Sequence, residues 1–336
     1  MSGTEFYLNK GHRKVTFRYG ITVPFDAPLI EQKELYQEFA DLGYTDLWSS
    51  EADGTDGFTP LILGSQWAPT MRLGVAIIPA YTRGPALMAQ HIASACEAAP
   101  GRFVMGIGSS SNVIVESWNG IPFEEPYART RDMVRFLRKA LTGEKVTEKF
   151  DGFEVQGFTL RRVPQQQPPI LIAALRAGML RLAGREGDGA IINWLSAEDV
   201  ATVRPYVEEG GPDKEIVARI FCCPNPDAEV VRAGAKRAIA AYLNVPVYAD
   251  FHRWLGRSGD LEGMWTAWAA GDRKAALEAI PDHVVDELIV HGHPEECREH
   301  IDRYHAMGVT TSAISIMPFG DVDPVQAARD LAPAAR

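Results

Sequence analysis

Two carboxylates, Asp26 and Glu51, follow short apolar runs and could carry a proton to or from a bound molecule. Each also has a plain structural reading. Asp26 precedes Ala27-Pro28, where an aspartate commonly serves a turn or cap. Glu51 adjoins the glycine-rich stretch Gly54–Gly57 and could be an acceptor for it. Three consecutive hydroxyls, Ser109, Ser110 and Ser111, follow the apolar run Phe103–Gly108 (FVMGIG), with Glu116 and Trp118 just beyond. Small residues also mark the ends of the run Arg72–Ile78, in Ala76-Ile77-Ile78-Pro79-Ala80, and of the run Pro169–Ala173, in Ala173-Ala174. Phe25, Trp48, Tyr81, Trp118 and Trp194 flank these ends. A flat ring could lie on such small residues with aromatics closing around it. Core packing with ordinary turn residues is the competing reading. The turn Ala174-Leu175-Arg176-Ala177-Gly178-Met179 enters a helical pattern. Its unpaired N–H groups would suit a phosphate, and Arg176 could add a charged contact.

Other clusters read as structural. His291, His293, His300 and His305 lie near Cys297 at a spacing that could suggest a metal, but on a charged helical stretch, so a solvated helix face is the better reading and no metal site is expected. Arg129, Arg131, Arg135 and Arg138 have Glu124, Glu125 and Asp132 nearby. They read as a solvated helix face, or as a patch that meets an anionic tail.

The elements that position these residues alternate. Strand patterns fall at Thr16–Val23, Thr45–Ser50, Arg72–Ile78, Phe103–Gly108, Pro169–Ala173, Ala190–Asn193, Lys214–Cys223 and Thr311–Met317, each followed by helical spacing. Alternation predicts a parallel sheet. Eight repeats over 336 residues favour an α/β fold of the TIM-type (β/α)8 barrel class, with insertions, over an open sheet. The strands are almost continuously apolar, as strands covered on both faces are. Glu144–Leu160 reads as a hairpin with Asp151-Gly152 at its turn. The expected organisation is a loose arm over 1–14 and one barrel domain over 15–336, with insertions near 144–160 and 242–286. In such a barrel the chemistry sits at the carboxyl ends of the strands, which is where the residues above fall.

A net charge of −10 argues against nucleic acid or an anionic membrane as partner. No apolar run is long enough for a membrane span, and no secretion signal is read. Cys96, Cys222, Cys223 and Cys297 show no C-x-x-C spacing, which fits packed thiols in a cytoplasmic protein.

Longer stretches resemble the luciferase-like monooxygenase superfamily, in its branch dependent on the deazaflavin coenzyme F420. They are EADGTDGFTPL at 51–61, GRFVMGIG at 101–108, VESWNGIP at 115–122 with ARTRD at 128–132, and PILIAALRAGMLRLAGREGD at 169–188. The resemblance implies a TIM-type barrel with F420 at the strand ends. It implies a non-prolyl cis peptide at Ala76–Ile77 behind the ring, and coenzyme contacts from Gly108 and Ser109–Ser111. It implies that the backbone of Ala174–Met179 binds the phosphate. Asp26 and Glu51 then become the candidate catalytic carboxylates. In the family's sugar-phosphate dehydrogenase a glutamate follows the fourth strand. Ser111 stands at that position, so the acid–base arrangement does not carry over. The family's Gly-Pro at the phosphate turn is replaced by Arg176-Ala177.

The implied function is an F420-dependent oxidoreductase acting on a small apolar or ring-containing molecule, with a homodimer as a possible assembly. Two alternatives are an FMN-dependent monooxygenase served by a separate reductase, and a non-catalytic F420-binding protein.

Overall fold

The computed structural model describes residues 17–335. The arm expected over 1–14 lies outside the described residues. Among the described residues twelve strands occur: β1 (Arg18–Thr22), β2 (Asp46–Ser49), β3 (Arg72–Val75), β4 (Ile78–Pro79), β5 (Phe103–Gly108), β6 (Val146–Lys149), β7 (Glu154–Phe158), β8 (Ile170–Ala173), β9 (Gly189–Asn193), β10 (Glu215–Cys223), β11 (Ile289–His291) and β12 (Thr311–Ile316). The order β10-β12-β1-β2-β3-β5-β8-β9, with β9 pairing back to β10, closes a parallel sheet, and helices intervene along the chain. This is the TIM-type (β/α)8 fold, and each of the eight sequence-predicted strands is one of its staves.

Three differences from the sequence reading have physical causes. The third stave is not continuous: β3 stops at Val75 and β4 resumes at Ile78, on either side of a cis peptide at Ala76–Ile77. The three-residue strand β11 pairs at the sheet edge with β10. It follows the helix Asp282–Leu288 with no intervening turn residue, so no glycine or proline announces it. The insertion expected near 242–286, for which no individual elements were assigned, is helical at Pro246–Trp254, Ser258–Ala269 and Arg273–Glu278.

The described residues group into two compact units. The first comprises Thr22–Ile191 with Tyr206–Glu215. Its core is built from β2, β3, β5 and β8: Leu47, Leu73, Val104, Ile107, Leu171 and Ile172 are all buried. Register is tight. A Cβ added at Gly106 would lie 1.9 Å from the Val75 carbonyl oxygen, so only glycine lets β5 approach β3 there. The antiparallel hairpin β6–β7 belongs to this unit, with Phe150 N–H donating to Phe153 O across its turn.

The second unit comprises Ile192–Pro205, the chain from Ile216 onward and the described residues before Thr22. Here β12 pairs with both β1 and β10. Helices Ala228–Leu243, Pro246–Trp254, Ser258–Ala269 and Asp282–Leu288 bury Ile239, Leu261, Trp265 and Val284 in one cluster. The Trp265 indole N–H donates to Leu243 O at 2.9 Å and ties two of these helices together. No helix among the described residues is long and apolar enough to cross a membrane.

Candidate active site

In the first unit the ends of β4, β5 and β8 meet. A Cβ at Gly108 would lie 2.8 Å from the Ala173 Cβ and 3.3 Å from Ile77 Cδ1. Ile77, Gly108 and Ala173 are therefore neighbours across three staves, and Gly108 leaves room for the Ile77 side chain. Ala76, Ile77 and Ala173 are half-buried, although the strand residues leading to them are fully buried. The three serines that follow are half-buried as well. Ser110 takes φ +63°, an uncommon conformation for a residue with a side chain. Ser111 starts the next turn: its carbonyl accepts from Val115 N–H at 2.9 Å, and its hydroxyl oxygen accepts from Ile114 N–H at 3.4 Å. A short π-helical segment, Val113–Trp118, follows, with Glu116 exposed and Trp118 54 % exposed.

The aromatic residues expected to close around a ring separate into two sets. Trp48 is 1 % exposed and packs where a Gly74 side chain would be, 2.3 Å from that position, so it belongs to the core. Tyr81 is buried too, and its hydroxyl donates to Glu124 O at 2.5 Å. Phe25 is half-buried against Phe39.

Glu51 makes four contacts: the one to the Gly54–Gly57 stretch is the acceptor role its sequence position suggested, and those to Arg83 and Thr82 were not legible. Arg83 grips it bidentately, with Nη1 2.5 Å from Oε1 and Nη2 2.7 Å from Oε2. Gly57 N–H donates to Oε2 at 3.1 Å and the Thr82 hydroxyl to Oε1 at 3.4 Å. The Arg83 guanidinium also lies 5.3 Å from the Phe58 ring, and its Nε–H donates to His91 Nδ1 at 3.1 Å. Burial and that neighbouring cation together lower the His91 pKa. This is the geometry of an acceptor that holds the 51–57 loop. Asp26 is exposed. Its turn is set by buried Gln32, which accepts from Phe25 N–H at 2.9 Å and donates to Phe25 O and Ala27 O at 2.9 and 2.8 Å.

The turn at 174–179 is anchored by Ala174 N–H donating to Ile191 O at 3.0 Å. Helix Ala177–Glu186 then begins at Arg176 with no side-chain cap. Arg176 and Gly178 are exposed, Leu175, Ala177 and Met179 half-buried, and a Cβ on Gly178 would meet nothing within 4 Å. A helix start with open space over its first turn suits an anion. On the preceding helix, Arg131, Arg135 and Arg138 pair with Asp132 and Asp151, Glu186 and Asp188 respectively. Of the partners expected from sequence, Asp132 is used, and the other contacts come from the hairpin and from the 177–188 segment. Arg129 instead turns inward and donates to Ala80 O and Gly152 O at 3.1 and 2.7 Å.

The strand ends of the second unit carry a different constellation. Trp194, at φ +53°, is 1 % exposed and stacks near Phe221 and Tyr242, at 4.2 and 4.8 Å between centroids. The Asn193 amide donates to the Tyr248 hydroxyl at 3.2 Å. Arg219, on β10, lies 5.2 Å from the Phe221 ring and makes one long contact, 3.4 Å, to the Ser315 hydroxyl. Burial pushes its pKa down, and the Tyr242 and Tyr248 phenols act weakly the other way. The histidines have ordinary roles: His291 Nε2 lies 3.0 Å from Asp286 Oδ1, His293 caps the helix Pro294–Met307, and His305 Nδ1 lies 2.9 Å from Val309 O.

The family description luciferase-like monooxygenase matches residues 14–311. A 5,10-methylenetetrahydromethanopterin reductase of Archaeoglobus fulgidus is 27 % identical over 310 residues, covering 87 % of this chain and 91 % of that protein. An F420-dependent glucose-6-phosphate dehydrogenase of Mycobacterium tuberculosis is 30 % identical over 254 residues, 70 % of each chain. The solved coenzyme F420-dependent tetrahydromethanopterin reductase from Methanopyrus kandleri superposes with a TM-score of 0.77 at 20 % identity, over 95 % of this chain and 98 % of that one. With nearly the whole described barrel inside the matched region, the chain belongs to the luciferase-like monooxygenase family.

Proposed function

We propose that this chain is an F420-dependent oxidoreductase that moves a hydride between the deazaflavin coenzyme and a small organic substrate with an apolar or ring-containing body. The observation that carries the reading is the floor made by Ile77, Gly108 and Ala173. A side chain at 108 would press on Ala173, and three serines follow directly. Two of the relatives named above are F420-dependent by their descriptions, which supports the same coenzyme here.

In this reading Ala76, Ile77 and Gly108 bear the ring, and Ser109–Ser111 face its polar groups. The backbone of Ala174–Met179, with Arg176, takes the phosphate. When bound, the coenzyme supplies the hydride chemistry. The chain's own task is to fix the ring against the floor and to keep polar contacts at the serines. Proton transfer falls to Glu51 or Asp26. Glu51 is committed to Arg83, Thr82 and Gly57, so a proton role there requires the ion pair to loosen. Asp26 is open to solvent. Turnover of E51Q and D26N in one assay assigns the role.

Titration with F420 and with FMN, read by coenzyme fluorescence, tests the coenzyme. Saturable F420 binding with FMN at least about tenfold weaker, a gap of about 1.4 kcal/mol, is expected. The reverse order would replace this reading with an FMN-dependent monooxygenase, the chemistry that the family's name favours. F420 binding without turnover on any of a panel of ketones, alcohols and unsaturated ring compounds would leave a non-catalytic F420-binding protein. The reading also takes 15–336 as one domain in a cytoplasmic homodimer, and sedimentation gives the assembly mass.

A further inference from the structure

Among the described residues, several arginines that are half-buried or deeper have well-defined partners. Arg72 meets Asp46 and Glu215, Arg83 meets Glu51, and Arg257 meets Asp199 and Glu287. Arg102 donates to Met71 O and Ser65 O, and Arg129 to Ala80 O and Gly152 O. Arg219 has no carboxylate or carbonyl partner among the described residues. Its Nε is buried with no hydrogen-bond partner, and its one hydroxyl contact, to Ser315, is 3.4 Å long.

Its position explains why this matters. On β10, Ala218 and Ile220 are buried on the opposite face, and Arg219 shares a face with Phe221, over whose ring its guanidinium lies. The groups around it are neutral: the Phe221 ring, the Tyr242 and Tyr248 phenols and the Ser315 hydroxyl. A half-buried cation without a counter-charge costs stability that a structural role would not require. A ligand bearing the missing anion supplies the reason for it.

We infer that the second unit holds a binding site for a ring-bearing monocarboxylate, with Arg219 taking the carboxylate and the aromatic rings beside it taking the ring. Three features choose this class. The guanidinium fork matches a planar carboxylate through two parallel hydrogen bonds. Among the described residues only the Tyr242 and Tyr248 phenols, and no second cation, act on Arg219, so a single negative charge is matched where a phosphate dianion would not be. Tyr242, 43 % exposed, packs against the buried Trp194 ring and beside the half-buried Tyr248, so these two phenols are the ring faces left for a ligand, and the Asn193–Tyr248 pair offers a polar edge to its ring. The site is read from the second unit alone and does not depend on the coenzyme reading.

The test is calorimetric titration of the full chain, without coenzyme, with benzoate, cinnamate and cyclohexanecarboxylate. Their neutral amides and inorganic phosphate serve as controls. At least one carboxylate is expected to bind saturably, at least about tenfold tighter than its amide and than phosphate, with R219M losing that preference. The melting temperature of R219M should equal or exceed that of the parent, because an unpaired cation has been removed. The inference is overturned if no acid is preferred over its amide, if R219M keeps the preference, or if R219M melts well below the parent, which would mark Arg219 as structural. F420 titration of R219M is a separate readout: unchanged coenzyme binding beside lost carboxylate preference keeps the two readings apart.

Discussion

Gly108 and Glu51 show how much one residue's surroundings decide. Gly108 has no special backbone angle, so its reason to be glycine is space. G108A would place a methyl 2.8 Å from the Ala173 Cβ and 3.3 Å from Ile77 Cδ1. The Ile77 tip can rotate away, but the Ala173 Cβ moves only with its backbone, so the two strand ends must part slightly, and the fold should survive at a cost of about 1–3 kcal/mol. The ring-bearing floor should not survive. F420 affinity is expected to fall at least about tenfold, measured by fluorescence titration beside a melting curve. An unchanged affinity would remove the floor from the coenzyme site. That small residues and hydroxyls meet here was legible, since FVMGIGSSS can be read as a strand ending in open chemistry. The partner of Glu51 was not, because Arg83 is 32 positions away and nothing local announces it. Arg219 was equally hidden. In the run IVARIFCC a lone arginine reads as an outward residue, and only register decides which face it takes.

At the scale of elements, the alternation of strand and helix gave all eight staves because each is an apolar run bounded by turn residues. What the pattern lacks is breaks and edges. The interruption of the third stave at Ala76–Ile77 leaves the hydrophobic run RLGVAII intact, so periodicity cannot reveal it. That bond was expected only through family resemblance. Trp48 was placed at the rim because it lies near a strand end, yet its ring fills the space over Gly74. Glycine inside a strand thus predicts a neighbour's bulk as readily as a ligand's. The same logic makes Gly106 a hard constraint. G106A would drive a methyl to 1.9 Å from the Val75 carbonyl and 2.5 Å from Ile191 Cδ1. The first obstacle is backbone and cannot rotate away, so β5 must part from β3. A loss of about 3 kcal/mol or more is expected, seen as a large drop in melting temperature or as insoluble protein. A variant as stable as the parent would mean that the two strands are not so closely joined.

For the molecule as a whole, acidity should be the main threat, and its source can be named. Burial, then Arg257, push the fully buried His252 down to about 3, and burial, then Arg303, push His300 down to about 4. Both groups are therefore neutral in the folded chain at pH values where an unfolded histidine, at about 6.5, is charged. The unfolded state binds more protons, so stability rises with pH across this window. It is fully present above about 6.5 and is lost progressively as pH falls toward 4 and 3. Asp56 and Asp286, both held low by hydrogen bonds and cations, add losses of the same sign at the acid end. Each buried histidine contributes a slope of up to about 1.4 kcal/mol per pH unit inside the window. H252L removes one such group. Its stability from urea unfolding should depend on pH less steeply by about one proton between pH 4 and 6, with little change above pH 7. If the parent's stability were flat from pH 7 to 4, or the H252L slope equalled the parent's, the charge on His252 would not be what folding excludes. A site for a carboxylate beside Arg219 shifts this balance in a way the same experiment reads. The carboxylate that binds does so only to the folded chain in this account, so at saturating concentration it should raise stability at pH 7 by a margin that R219M loses.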